Sequence, residues 1–211
     1  MQREIMDLAR GSLAQVESSF YSAFHGGFFQ KLFPDFNALN RCNQGRILHL
    51  EGDALTHTGK VFAHASQSVS LFNEEDFFTL LVAALVHDIC KPQTRQEKVD
   101  GKVTFFGHAE RAANQCPEFA RNVGMDSLQA EKLQWLVARH MHAHDVKKCN
   151  WGPKKRLEFY SASAFPLMRE LQAADAVATW MNLDGSNHGE VLRDWFVADE
   201  RVLRGESEFG D

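Results

Sequence analysis

Along the chain, polar connectors separate stretches in which apolar residues recur every three or four positions, the spacing of helices that bury one face. Ala54, His57, Val61 and Ala65 form one stripe; Leu133, Leu136, Val137 and His140 form another. A third, Met168, Leu171, Asp175 and Ala178, follows Pro166, a residue suited to a first helical turn. Phe77–Val86 is apolar on every side and predicts a central helix buried all round, capped by Asn73 with Asp76 three residues on and ending near Lys91-Pro92. The one convincing β signal is Lys98–Phe105, where Asp100-Gly101 between short β-prone runs predicts a tight hairpin. Residues 1–31 and 188–204 read as amphipathic helical extensions, the second presenting Val191, Leu192, Trp195, Phe196 and Val202. The pattern predicts an all-α helical bundle with a small β-hairpin insertion near 98–105. Its expected parts are an N-terminal helical extension over 1–31, a central domain over 32–184, and a C-terminal helix and tail over 185–211.

Composition narrows what such a bundle can do. A chain of 211 residues, 44% of them hydrophobic, can fill one substantial core. With 23 Lys+Arg against 28 Asp+Glu its net charge is −5, which argues against a protein whose main task is coating a nucleic-acid backbone, so any phosphate site must be local. The longest uninterrupted apolar run, Leu80–Val86, is far shorter than the ~20 residues of a membrane span. Cys42, Cys90, Cys116 and Cys149 form no C-x-x-C pair, and Met1–Gln15 lacks the apolar stretch of a signal peptide, so a reducing cytoplasm is the expected location.

Several core-facing positions are filled by histidine and aspartate. His87-Asp88 closes the all-apolar helix and continues its buried faces. A carboxylate there is desolvated and stands at a helix C-terminus, where the macrodipole is already negative, so it needs a strong positive partner. Asp175 repeats the problem on its own stripe, among alanines that allow close helix approach. His57 lies on the stripe of Val61. A lone buried histidine is more often hydrogen-bonded filler, and a lone aspartate can pair with arginine or cap a helix. Two such aspartates and several such histidines on different helices are hard to satisfy separately and easy to satisfy around one metal centre. Neutral imidazole beside carboxylate suits Mn, Fe, Co or Ni, with Mg or Zn as alternatives, in one or two ions.

In order, His57, His87-Asp88 and Asp175 form the H…HD…D pattern of the HD superfamily of metal-dependent phosphohydrolases, which this chain resembles. The likeness extends to Phe33–Leu39, to His49–Asp53 leading into Thr56-His57-Thr58, to Leu85–Pro92 and to Phe106–Glu110. All of these look like the C-terminal HD domain of bacterial tRNA nucleotidyltransferases, the CCA-adding enzymes, over roughly residues 32–184. The nucleotidyltransferase head has no counterpart: Gly11-Ser12 lies in a helical segment with no Asp-x-Asp pair after it, so tRNA end-building is not inherited. Cys90 stands where these domains usually carry glycine, and is read as packing.

The resemblance implies an all-helical fold and hydrolysis of phosphoester bonds by metal-activated water, with His57, His87, Asp88 and Asp175 holding one ion. It further implies that Asp88 bridges to a second ion held by His108 and His140. His142 and His144 compete with His140, which is preferred for its place on the stripe of Leu133, Leu136 and Val137. His25, His49, His64 and His188 are expected to be surface or core-filling residues. Lys91 is expected to neutralise substrate phosphate, the bland reading being a solvated lysine, with Arg95 and Arg111 as weaker candidates. The implied substrates are small phosphorylated compounds, above all nucleotides, as phosphate monoesters or 2′,3′-cyclic phosphates. An RNA end is an additional candidate partner, held by the basic run Lys147–Arg156 with Trp151 stacking on a base. A non-catalytic metal-binding module that holds RNA or nucleotides is the competing class, and a nucleoside triphosphohydrolase a third. Oligomeric state is not legible.

Overall fold

Asn73 opens the helix around which the others gather, its Oδ1 accepting the Asp76 backbone N–H at 2.8 Å. The computed structural model describes residues 1–45, 52–142, 151–180 and 188–206. Among these the helices are α1 (Gln2–Leu8), α2 (Leu13–His25), α3 (Phe28–Leu32), α4 (Ala54–Ser66), α5 (Glu74–Val86), α6 (Lys91–Thr94), α7 (His108–Val123), α8 (Ser127–Arg139), α9 (Pro153–Tyr160), α10 (Phe165–Trp180) and α11 (His188–Arg204). Short 3-10 turns span Pro34–Leu39 and Val69–Leu71, and β1 (Gln96–Glu97) pairs with β2 (Val103–Thr104). The architecture is the all-α bundle with one small hairpin that the pattern predicts.

Every residue of Phe77–Val86 is buried, as an all-apolar helix requires. Helices α1, α4, α8 and α10 pack directly on α5; α7 lies against α8, and α2 against α4. The N-terminal segment is three helices rather than one. Ser12, whose N–H donates to the Gln15 side chain at 2.8 Å, starts α2 afresh, so Gly11-Ser12 is a junction and not part of a helix. Phe20 from α2 joins Phe29, Phe36 and Phe62 in a fully buried aromatic cluster that ties these helices to α4.

Helix α5 stops at Val86, before the predicted end near Lys91-Pro92. The ladder tightens after it: Ile89 N–H donates to Val86 O at 3.2 Å and Lys91 N–H to Asp88 O at 2.9 Å. The hairpin lies where the pattern expects it. Its strands pair Gln96 with Thr104 and Glu97 with Val103, leaving the three-residue loop Val99-Asp100-Gly101, closed by Lys98 N–H on Lys102 O. Gly101, at φ 77°, supplies the left-handed position that such a loop needs. Val99 is therefore solvent-exposed rather than a strand residue.

Helix α11 lies along α10. Gly189, Leu192, Phe196 and Leu203 share its packed face, and Phe196 is fully buried against Tyr160 and Phe165. Val191 and Val202, expected on that face, are exposed because their spacing from Phe196 carries them round the helix. A Cβ on Gly189 would stand 2.8 Å from Ala173 O and 2.6 Å from Val177 Cγ2, so the two helices touch backbone to backbone there. Glu170 of α10 is buried at 1% exposure; its Oε2 accepts from Arg193 Nε of α11 at 2.8 Å and from Ser68 Oγ at 3.1 Å.

Candidate metal centre

Five helices deliver polar side chains to one point. His57 sits in the first turn of α4, whose start is set by Asp53 accepting the Thr56 N–H at 2.9 Å. His87 and Asp88 follow the last residue of α5, His108 opens α7, His140 closes α8, and Asp175 projects from the middle of α10. All six are buried. Gln172, one turn before Asp175, donates its Nε2–H to the His140 carbonyl and locks α10 to the end of α8.

Asp88 lies at the centre, and its two oxygens face different groups. Oδ2 is 3.6 Å from His57 Nε2, 3.3 Å from His87 Nε2 and 2.6 Å from Lys91 Nζ. Oδ1 is 3.2 Å from His108 Nε2 and 3.6 Å from His140 Nε2. Asp175 Oδ1 closes the first group at 2.9 Å from His57 Nε2. The ligating atoms of His57, His87 and Asp88, and separately those of Asp88, His108 and His140, lie within 4.8 Å of one another.

The tautomers decide what such a cluster can hold. His87 Nδ1, His108 Nδ1 and His140 Nδ1 lie 3.0, 2.7 and 2.8 Å from the carbonyls of Ala84, Phe105 and Val137. A neutral ring has one N–H, and these carbonyls claim it at Nδ1, which leaves every Nε2 lone pair turned inward. His87 Nε2 is buried without a hydrogen-bond partner among the described residues, and the Nε2 atoms of His108 and His140 face each other at 3.0 Å. Burial, only partly opposed by the hydrogen bond to Asp88, pushes the His140 pKa down to about 4, so this ring is neutral at neutral pH. Burial alone would raise the Asp88 carboxyl, but the Lys91 ammonium, His87, and the nearby rings of His108 and His140 outweigh it and hold its pKa well below the usual carboxylate range. Inward lone pairs of neutral imidazole around an ionised carboxylate suit a divalent metal ion, and the residues present fit one.

The HD domain family model matches residues 54–180, more than half of the chain and a span containing all six of these residues. The chain belongs to the HD domain family. HD domains are in general metal-dependent hydrolases, and this one retains the buried histidine and aspartate cluster that could hold the metal.

The remaining candidates part company. Lys91 is not a solvated lysine: it is 6% exposed, 2.6 Å from Asp88 Oδ2 and 5.3 Å from the Phe105 ring centroid. Arg95 turns away from the cluster, its Nε donating to Asn43 O at 2.9 Å and its guanidinium pairing with Glu97 at 2.8 Å. Arg111 is exposed on α7 and close enough to Cys90 to act on its thiol, which burial nonetheless pushes up to about 11. Cys90 has φ −93° and ψ 5°, a conformation open to any residue, so its backbone path needs no glycine. His140 enters the cluster, whereas His142 packs edge-on to Trp151. His49, His144 and Lys147–Asn150 lie outside the described residues. Within the rest of the basic run, Lys155 Nζ stands 3.8 Å over Trp151 and Arg156 pairs with Asp199. One residue escapes the pattern reading: Gln44, 4% exposed, whose Oε1 accepts from Lys91 Nζ at 2.5 Å.

Proposed function

We propose that this HD domain hydrolyses phosphoester bonds of nucleotides or RNA ends, as a phosphomonoesterase or 2′,3′-cyclic phosphodiesterase. The observation that carries this reading is the single buried carboxylate of Asp88 shared between two sets of imidazole nitrogens, with an ammonium at its side. His57, His87, Asp88 and Asp175 would hold one divalent ion, and Asp88, His108 and His140 a second; Mn, Fe, Co or Ni best suits that mixture of nitrogen and oxygen donors. Such an ion, when bound, polarises the phosphoester and lowers the pKa of water, the chemistry of metal-assisted hydrolysis at neutral pH.

The chain's own residues supply the rest. The Nδ1–H bonds to carbonyls fix the ring orientations, so the site is shaped before substrate arrives. Lys91, buried beside Asp88, would meet phosphate oxygens at the cluster, and burial strengthens such an interaction relative to one in water. Nucleotides and RNA ends are favoured because the motifs around His57, Asp88 and His108 resemble those of the tRNA nucleotidyltransferase HD domain. The partly buried Trp151 offers a ring near the C-terminal end of α8. None of the described helices is long and apolar enough to cross a membrane.

A metal-replete screen of purified protein against 2′,3′-cyclic nucleotides, nucleoside monophosphates and nucleoside triphosphates tests the reading. Release of phosphate or ring opening in the first two classes is expected. Metal-loaded protein that binds nucleotides and turns over none would instead be a non-catalytic holding module. Turnover confined to triphosphates would reassign the substrate.

A further inference from the structure

Beside the cluster, Gln44 is held in a way that packing alone does not explain. Its carboxamide is buried, Oε1 accepts from Lys91 Nζ at 2.5 Å, and Nε2 is buried with no hydrogen-bond partner among the described residues. The orientation is not arbitrary, because turning the amide over would press its NH2 against an ammonium. The same ammonium lies 2.6 Å from Asp88 Oδ2, so one Lys91 side chain separates the amide from the central carboxylate.

The segment carrying Gln44 is pinned on both sides. Asn43 bridges to Asp53, the residue that caps α4 ahead of His57, and Asp53 Oδ2 also accepts the Arg41 N–H at 3.1 Å. From the hairpin, Arg95 Nε donates to Asn43 O at 2.9 Å, and Val103 lies 3.5 Å from where a Cβ on Gly45 would stand. The α4 cap and the hairpin region thus restrain a short non-helical segment next to a glutamine left, among the described residues, with two idle donors. A buried NH2 without an acceptor is unfavourable, and its persistence under such restraint points to an acceptor supplied from outside.

The acceptor's chemistry follows from what stands around it. Lys91 offers three N–H donors, of which Asp88 and Gln44 take two. The remaining ammonium proton and the two amide protons are donors and nothing else, which suits a group that only accepts: the non-bridging oxygens of a phosphoryl group. We propose that Gln44 is a substrate-binding residue whose Nε2–H groups grip a phosphoryl oxygen alongside Lys91. Arg95 is a positioning residue that holds Gln44 in place through Asn43. The proposal rests on the phosphohydrolase reading above and deepens it.

The test compares Gln44→Glu and Gln44→Met with the full-length wild type. Glu keeps an acceptor for Lys91 and removes the donors; Met removes both without adding charge. Metal content and melting temperature are recorded first, then binding of inorganic phosphate to the metal-loaded proteins by calorimetry, then KM and kcat on the best substrate of the screen. Both variants are expected to retain metal, to bind phosphate at least tenfold more weakly, and to raise KM more than they lower kcat. Gln44→Asn, which withdraws the amide by one methylene, replaces Met if that variant does not fold. Wild-type phosphate affinity in the neutral variant, or weakening confined to Glu, would overturn the proposal, since the loss would then be charge repulsion. Gln44-dependent phosphate binding by a protein that hydrolyses nothing would support the grip and sink the hydrolase reading. Hydrolysis with phosphate binding indifferent to residue 44 would do the reverse.

Discussion

The Nε2 atoms of His108 and His140 stand 3.0 Å apart although each ring directs its Nδ1 at a backbone carbonyl. Two lone pairs at that separation repel unless a cation lies between or beside them. Removing either ring should therefore relax the metal-free protein while removing a ligand. His140→Ala and His108→Ala are each expected to bind one ion fewer than wild type by elemental analysis, retaining the ion of His57, His87 and Asp175. Loss of all metal, or none, would break the division of the site into two.

Asp88→Asn separates a structural from a ligating aspartate. The amide nearly preserves volume and, in a purely hydrogen-bonded role, should cost about 1–3 kcal/mol with activity little changed. As the shared ligand it should lose metal and hydrolysis together. Thermal melts with and without chelator, beside metal analysis, distinguish the outcomes; an Asn variant with wild-type metal content and turnover would overturn the site.

Lys91→Met should behave differently in the two metal states. Without metal, Asp88 at 2% exposure loses its closest positive partner, and a buried charge so stranded typically costs about 3–5 kcal/mol. Chelated variant should therefore melt well below chelated wild type, and added Mn should recover much of the difference. Turnover should fall even with metal restored. Equal melting of the two chelated proteins would mean that the pair adds nothing.

The metal-free protein should lose stability in acid in two stages. The His140 pKa is pushed from 6.5 down to about 4, so between those values the unfolded chain binds a proton that the folded chain refuses, and stability falls as pH drops through that window. Asp88, held well below its ordinary 3.8, contributes stability above that value and loses it only at lower pH still. Urea midpoints of chelated protein across pH report this directly. A midpoint flat from pH 6.5 to 4, or unchanged in its slope by His140→Ala, would contradict the assignment.

What the pattern of residues could reveal follows from where ligands must sit. His57, Asp175 and His140 are legible because each breaks an apolar helical stripe on its buried side, and a break in a regular pattern is visible without knowing the fold. Gln44 breaks nothing. It lies in a non-helical segment with no period, and only the Asn43–Asp53 bridge and Arg95 bring it to Lys91. Arg95 itself looks like a phosphate ligand in sequence and is consumed by that task. The hairpin lies where the pattern expects it, and only its first strand, Gln96-Glu97, is illegible, because it is polar and exposed and so carries no strand signal. Helix α5 ends at Val86, ahead of Lys91-Pro92, because the turns after it close through i→i+3 bonds such as Ile89 N–H on Val86 O, a change of ladder that no residue type announces.

Gly189→Ala tests how far the site depends on the helix behind it. Its methyl would meet Ala173 O and Val177 Cγ2 at 2.8 and 2.6 Å, flanking Asp175 on α10. Overpacking of this kind costs about 1–3 kcal/mol, and relief by sliding α10 would displace Asp175. A lower melting temperature together with weaker binding of the first ion is expected. Weakened melting with metal affinity untouched would confine the effect to packing.

That contact also bears on what counts as a portable piece of this protein. The family match ends at residue 180, the last of α10, while α11 supplies Arg193 to the buried Glu170 and Phe196 to the aromatic packing of Tyr160 and Phe165. A chain cut at the edge of the match would keep every proposed metal ligand and yet strand a carboxylate and open an apolar seam along the helix that bears Asp175. Shared ancestry and cooperative folding therefore draw their borders in different places, and a graft of the reactive centre onto another scaffold would have to carry a helix that contributes no ligand.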